Sequence, residues 1–312
     1  VNFEGSVGGG IPLIRSLKEG LAANRIDSIF GILNGTSNYI LTKMTNEGRN
    51  FADVLKEAQE KGYAEADPTY DVEGIDAAHK LTILIRLAFG TPIRFNEISI
   101  GGIREITPLD IEFTREFGYR IKLLAIAKMD QGKIEARVYP TLLPERHLLS
   151  TVEGVFNAIY IRGDAVGPTL FYGQGAGQMP TGSAVVGDLI ELSRNLLIRA
   201  SGRRVPLLSF QESAIERIPL KKMEEVVTPF YMRFSALDRA GVLSRISGIL
   251  GKNDISISSV IQKGRQVNGA VPVVMMVYEA RERNVRRALK EIDRLRVILG
   301  KTMVLRVENK LE

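Results

Sequence analysis

Residues 62–80, GYAEADPTYDVEGIDAAHK, set five carboxylates (Glu65, Asp67, Asp71, Glu73 and Asp76) ahead of a single amine, Lys80, where an apolar run begins. Carboxylates bind an ammonium group or a hard cation, and a partly desolvated lysine exchanges a proton with a hydroxyl or carbonyl oxygen. The spacing is not that of a twelve-residue calcium loop with glycine at its sixth position. A zwitterionic ligand uses the acids and the amine together, which suits amino-acid chemistry. The spacing also allows a polar loop capping a helix, with Asp76 and Lys80 as an exposed i, i+4 ion pair contributing less than about 0.5 kcal/mol. Pro68 restricts the loop, and Gly62 and Gly74 permit turns closed to other residues, which favours the functional reading.

Composition narrows the function classes. With 312 residues, 45% hydrophobic and 25% charged, the chain has the make-up of a globular protein long enough for two domains. No apolar run reaches the roughly 18 residues of a bilayer span, and the densest, LTILIRLAFG, is interrupted by Arg86, so no membrane role is expected. The lack of cysteine excludes disulfides, thiolate metal sites and a cysteine nucleophile, and agrees with a cytoplasmic location. His79 and His147 are the only histidines, too little material for a histidine metal site or a Ser/His/Asp triad. The net charge of +6 is concentrated in residues 203–312, which hold 21 Lys/Arg against 12 Asp/Glu. There the basic residues are interspersed with carboxylates (RERNVRRALKEIDRLR) and lack an aromatic stacking pattern. A solvated helix face is expected, with no nucleic-acid partner.

Periodicity supplies the elements that must position these groups. EGIDAAHKLTILIRLAFG is predicted as a helix ending before Gly90, with Asp76 and Lys80 on one face that borders a cavity. Pro12 opens a helix after SVGGG, IDSIFGIL is a strand, and Asn34-Gly35 is a turn before a helix in NGTSNYILTKM. RIKLLAIAKM, KIEARVYPTLL, FNAIYIRGD and PTLFYGQGAG read as a strand meander closed by the helix SAVVGDLIELSRNLL. The segments VPLLSF and ERIPLKKMEEVVTP place a linker at 205–227. Beyond it, YMRFSA, GVLSRISGILGK, DISISSVIQK, GAVPVVMMVYEA, RNVRRALKEIDRL and KTMVLRVE give βαββαβ with one sheet face covered. Asp238 lies where that module's first helix would be capped. The fold class is α+β: a mixed sheet with covering helices over 1–204, then a ferredoxin-like module over 228–312.

Four segments in order, FEGSVGGGIPLI, GILNGTSNYIL, EAQEKGYAEADPTYDVEGIDAAHKL and GAGQMPTGSAVVGDL, resemble the catalytic portion of homoserine dehydrogenases, and residues 228–308 resemble an ACT domain, an amino-acid-sensing module. The resemblance implies NAD(P)H-dependent interconversion of L-aspartate 4-semialdehyde and L-homoserine in threonine, methionine and isoleucine biosynthesis. It implies that Lys80 gives a proton to the aldehyde oxygen, that Asp76 orients lysine and substrate, and that Glu65 holds the amino acid. Asp71, Thr36 and Gly35 then line the substrate pocket, with Asp67 and Glu73 left as loop residues. The resemblance further implies a sodium ion on Glu4 and the carbonyls of Val7, Gly9 and Ile11; without it, SVGGG reads as a tight turn before a Pro-started helix. Gly175 and Gly177 correspond to a loop that approaches the cofactor.

The resemblance also places a Rossmann domain ahead of Val1, because neither VGGGIP nor GQGAGQ has strand, glycine fingerprint and helix in that order. The 312 residues alone are therefore expected to be inactive. In the ACT portion, Asp238, Gly241, Asn253 and Ile255 are expected to meet an amino-acid effector, which the resemblance makes threonine, and the meander and its closing helix are expected to form a homodimer. The competing reading is a non-catalytic amino-acid sensor with a vestigial pocket. Lys80 retained beside Asp76 and Glu65 favours the enzyme, because a sensor needs carboxylates but no proton-transfer lysine.

Overall fold

The computed structural model describes residues 1–197, 205–264 and 269–311. Its strands are β1 (Ile26–Ile32), β2 (Ser99–Ile100), β3 (Tyr119–Asp130), β4 (Lys133–Pro144), β5 (Phe156–Gly163), β6 (Gly167–Gln174), β7 (Val227–Leu237), β8 (Ile257–Gln262), β9 (Ala270–Arg281) and β10 (Met303–Val307). The helices are α1 (Leu13–Arg15, continued by a π turn), α2 (Gly35–Glu47), α3 (Phe51–Glu60), α4 (Thr69–Val72), α5 (Ile75–Phe89), α6 (Pro108–Glu116), α7 (Gln178–Leu197), α8 (Val242–Lys252) and α9 (Glu282–Ile292). The long apolar runs of β3, β4 and β5 are buried on both faces, whereas the alternating β6 and β8 lie at the two sheet edges.

Among the described residues the strands join one mixed sheet, ordered β6-β5-β1-β3-β4-β10-β7-β9-β8, with β2 also on β4. The expected meander is interrupted, because β1 inserts between β5 and β3, antiparallel to both. The C-terminal strand β10 pairs in parallel with β4 at Arg306↔Thr141 and Val307↔Leu142, in line with β2 at Ser99↔Arg137. Residues 205–227, expected as a linker, are docked where they are described. The Ile134 amide donates to Pro219 O (3.0 Å), the Lys221 amide to Ile134 O (2.8 Å) and the Ile218 amide to Thr91 Oγ1 (2.8 Å).

The C-terminal module shows the βαββαβ order read from periodicity, with α8 and α9 over Phe230, Met232, Phe234, Val273 and Met275. Its second sheet face, expected to be open, is covered as well. Tyr231, Val274, Met276 and Leu305 are buried in the same core as Phe113 and Val138. At this junction Asp110 of α6 accepts hydrogen bonds from Tyr231 Oη (3.1 Å) and from Arg233 Nε and Nη2 (2.6 and 2.9 Å). Glu282 takes both Arg306 Nε and Nη2 (2.9 and 2.5 Å), and Arg137 spans Glu135 and Glu308 (2.8 Å each). These buried charges are paired with opposite charges, Arg137 keeping only Nη1 without a partner among the described residues, and removing one partner would leave a desolvated ion.

Candidate active site

Gly74 adopts φ +80° between α4 and α5, and a Cβ there would stand 3.1 Å from Val138 Cγ1. The turn aims α5 so that Ala77, Ala78, Leu81, Leu84 and Ile85 enter the core, leaving Asp76 and Lys80 on its half-exposed side. The Lys80 ammonium donates to Asp76 Oδ2 at 2.7 Å and to Leu33 O at 2.9 Å, with side-chain exposures of 21% for Lys80 and 30% for Asp76. One of its three N–H groups is left without a partner among the described residues.

The junction of β1 and α2 completes the cluster. Asn34 is the N-cap of α2: its Oδ1 accepts from the Ser37 amide (2.8 Å), while its Nδ2 donates to Asp71 Oδ1 (2.6 Å) and to Asp76 Oδ2 (2.9 Å). Ser37 Oγ donates to Asp71 O at 2.7 Å. Burial pushes the Asp71 carboxyl above its ordinary pKa and the Asp76 charge adds to this, while the hydrogen bond from Asn34 and the charge of Lys80 act against it. Such a site can receive an ammonium group and offer one proton to an oxygen.

The structure thus brings Asp71, Asp76 and Lys80 together with Gly35 and Thr36 at the start of α2. Thr36 Oγ1 donates to Tyr63 O (2.6 Å), and Gly35 lies so close under Val155 that a Cβ would meet its carbonyl oxygen at 2.7 Å. Glu65 is not drawn in. Its carboxylate is exposed and makes no hydrogen bond or ion pair among the described residues, although Gln59 Nε2 holds its carbonyl (3.1 Å). The other two acids have separate partners: Asp67 receives the Thr69 amide and hydroxyl (3.1 and 2.6 Å), and Glu73 pairs with Arg104 (2.5 Å). The sequence reading took Asn34 only as half of an Asn-Gly turn. Its N-cap preference was a visible signal, but its two carboxylate partners, 37 and 42 positions away, were not.

The two glycine loops pack directly on each other. The Gly10 amide donates to Gln174 O (3.0 Å), and a Cβ on Gly9, at φ +50°, would stand 2.4 Å from Gly175 O. A Cβ on Gly175 would strike the Asn157 amide group at 2.1 Å, so packing within the chain already demands glycine there. Gly177, at φ +120°, sits on the exposed part of the loop. Glu4 is buried and spans the start of α1, accepting the Ile14 and Arg15 amides (2.8 and 3.0 Å), while Val7, Gly9 and Ile11 are buried beside it. Among the described residues no group of three or more His, Asp or Glu is placed to hold a metal ion, so a cation there would rest on Glu4 and backbone carbonyls.

In the C-terminal module, Gly241 is the exposed N-cap of α8 at φ +84°, with open space where a Cβ would stand, and Asp238 lies half-buried just before it. Asn253 and Ile255 lie inside. Asn253 Nδ2 donates to Ile249 O (2.9 Å) and its Oδ1 accepts from Arg287 Nε (2.5 Å), while Ile255 belongs to the helix-covered core. Neither histidine joins the cluster: His79 stacks on Phe95, and His147 Nδ1 accepts the Leu149 amide. Among the described residues no helix is long and apolar enough to cross a membrane.

Comparison with known proteins decides the family. A family profile for homoserine dehydrogenase matches residues 12–190, and one for the ACT domain matches residues 230–297. The homoserine dehydrogenase of Neisseria gonorrhoeae is 46% identical over 309 residues, 99% of this chain and 71% of that protein. This chain belongs to the homoserine dehydrogenase family. The crystal structure of a homoserine dehydrogenase from Thiobacillus denitrificans superposes with a TM-score of 0.93 at 49% identity, covering 100% of this chain and 70% of that one. A hyperthermophilic archaeal homoserine dehydrogenase mutant in complex with NADPH matches 62% of this chain and 55% of its own, with 34% identity and a TM-score of 0.51. The chain thus joins a homoserine dehydrogenase domain to an ACT domain.

Proposed function

We propose that residues 1–204 bind and orient L-aspartate 4-semialdehyde or L-homoserine for NAD(P)H-dependent oxidoreduction, with 228–312 as the regulatory module. The observation that carries this reading is the Lys80 ammonium, fixed by Asp76 and Leu33 O with one N–H to spare. In the reducing direction a nicotinamide, when bound, supplies the hydride to the aldehyde carbon. Lys80 gives its uncommitted proton to the oxygen, and Asp71 and Asp76 face the substrate ammonium. Glu65 joins them when the 62–68 loop closes on the ligand. In the described residues parallel pairing of strands is confined to β4 with β2 and β10; β6, the Gly175–Gly177 turn and α7 follow one another, but β6 is an edge strand antiparallel to β5, so they do not make the parallel strand–turn–helix unit of a dinucleotide site. On this reading the main cofactor site is assigned outside the described residues, with Gly175 and Gly177 at its substrate side. The test is calorimetry together with turnover: the 312-residue chain should bind homoserine, bind NAD(P) only weakly and oxidise nothing until a nucleotide-binding domain is joined to it. Micromolar NAD(P) affinity of the chain alone would overturn this placement.

Three subsidiary readings accompany it. Exposed Leu170 and Tyr172 on β6, with Val185, Val186, Leu189 and Ile190 on α7, form an apolar face that a second copy buries, and a strictly monomeric mass in light scattering at high concentration would refute that. A sodium ion would rest on the buried Glu4 carboxylate with the carbonyls of Val7, Gly9 and Ile11, a reading taken from the family resemblance; replacing sodium by choline should lower the melting temperature. An amino-acid effector, threonine first among those to try, meets the start of α8 at Gly241 and Asp238, with Asn253 and Ile255 shaping the pocket from within. A thermal-shift series that is flat for threonine, isoleucine, methionine and lysine leaves the module as a structural element.

A further inference from the structure

The geometry points to Asn34 as a positioning residue of the reaction, whose side-chain amide holds the carboxylates of Asp71 and Asp76 in one cluster beside Lys80. This inference deepens the proposed function and rests on it. The orientation of the amide is dictated by its partners. Oδ1 faces the Ser37 N–H, a donor, so Nδ2 must face the two carboxylates; the flipped amide would set its oxygen against both acids. Each of the two amide hydrogens then has one carboxylate, and the residue is 6% exposed, so water does not readily replace it.

Two acids this close repel each other, and Asp76 Oδ2 must also receive Lys80. A neutral donor between them offsets the repulsion without a second cation, which would compete with the substrate ammonium for the same oxygens. Leu33, the neighbour of Asn34, supplies the carbonyl that holds Lys80. One two-residue junction therefore sets both the acids and the amine. The capping of α2 is a separate duty of the same side chain, and the two duties come apart by substitution. Asn34→Ser and Asn34→Asp both keep an oxygen able to cap Ser37, and both lose the amide donor.

The test uses two readouts. In the 312-residue chain, the Asp71 carboxyl carbon is followed by NMR against pH in wild type, Asn34→Ser and Asn34→Asp, with thermal melts to confirm folding. The Asp71 midpoint should rise in both variants, and more in Asn34→Asp, where a third carboxylate joins the cluster. In the enzyme carrying its nucleotide-binding domain, kcat should fall by about tenfold or more, with the acid limb of the pH profile moved upward and homoserine KM changed less than kcat. If folded variants keep both the wild-type Asp71 midpoint and the wild-type pH profile, Asn34 is a helix cap and nothing more. If the midpoint moves but the wild-type enzyme shows no homoserine oxidation, the cluster stands and the catalytic reading falls.

Discussion

The cluster around Lys80 and the junction around Asp110 are both built from acids and bases, yet they are finished differently. At the junction, Asp110 is wholly buried and takes four side-chain donors, Thr107 Oγ1, Tyr231 Oη and two from Arg233, together with the Thr107 amide. Beside Lys80, the acids are half-exposed, their shared donor is a neutral amide, and one ammonium hydrogen is unspent. Saturated hydrogen bonding fixes two surfaces together; unsaturated hydrogen bonding at a surface leaves capacity for a ligand. Of these two clusters, the incompletely satisfied and accessible one is the candidate for chemistry.

That contrast can be broken most forcefully at Asp110. Asp110→Ala strands Arg233 and Tyr231 in the core and should cost about 3–5 kcal/mol in a urea titration, while the folded fraction keeps its homoserine affinity. Lys80→Ala should do the reverse: melting temperature nearly unchanged, but kcat of the complete enzyme lowered by about 10² or more. A Lys80 variant with near-normal turnover would remove that residue from the mechanism.

Lys122 gives a smaller effect between these extremes. It is buried on β3, its ammonium donating to Asn38 Oδ1 (3.1 Å) and Val152 O (2.5 Å), and burial lowers its pKa to about 8. The unfolded chain therefore holds more protons than the folded one between about pH 8 and the ordinary lysine value of 10.5. Stability of the wild type relative to Lys122→Met should rise with pH across that window, by at most about 1.4 kcal/mol per unit. A flat difference across it would show that the two oxygens fully offset desolvation. Glu65→Gln, the mildest change, should raise homoserine KM by about fivefold with kcat little altered. An unchanged KM would mean that the exposed carboxylate stays outside the bound complex.

What the sequence disclosed follows from the range of each interaction. Periodicity located β3 to β10 and α5, because the alternation and the apolar run are local. The i, i+4 spacing of Asp76 and Lys80 was enough to place them on one face, and the structure shows them paired. The insertion of β1 between β5 and β3 and the docking of β10 on β4 had no local signature, since a strand pattern shows its faces and not its neighbours. The short helices α3 and α6 went unread although each has a cap, Asn50 and Thr107. Within the candidate site, residue types pointed to the acids and the lysine, but the bridging amide of Asn34 emerged only when the chain was folded.

The pairing of β10 with β4 also bears on how the protein is made. Arg137 and Glu308, bonded across that seam, are 171 positions apart. The centre of the sheet thus closes only after residues 303–308 have left the ribosome, a high-contact-order step that is intrinsically slow. Until then the edge of β4 at Thr141 and Leu142, beyond the residues that β2 covers, is an unpaired template open to strands of other chains, and its buried-type sequence invites them. Shortening the chain at its C-terminal end should therefore yield aggregation during synthesis, and not merely loss of a regulatory module.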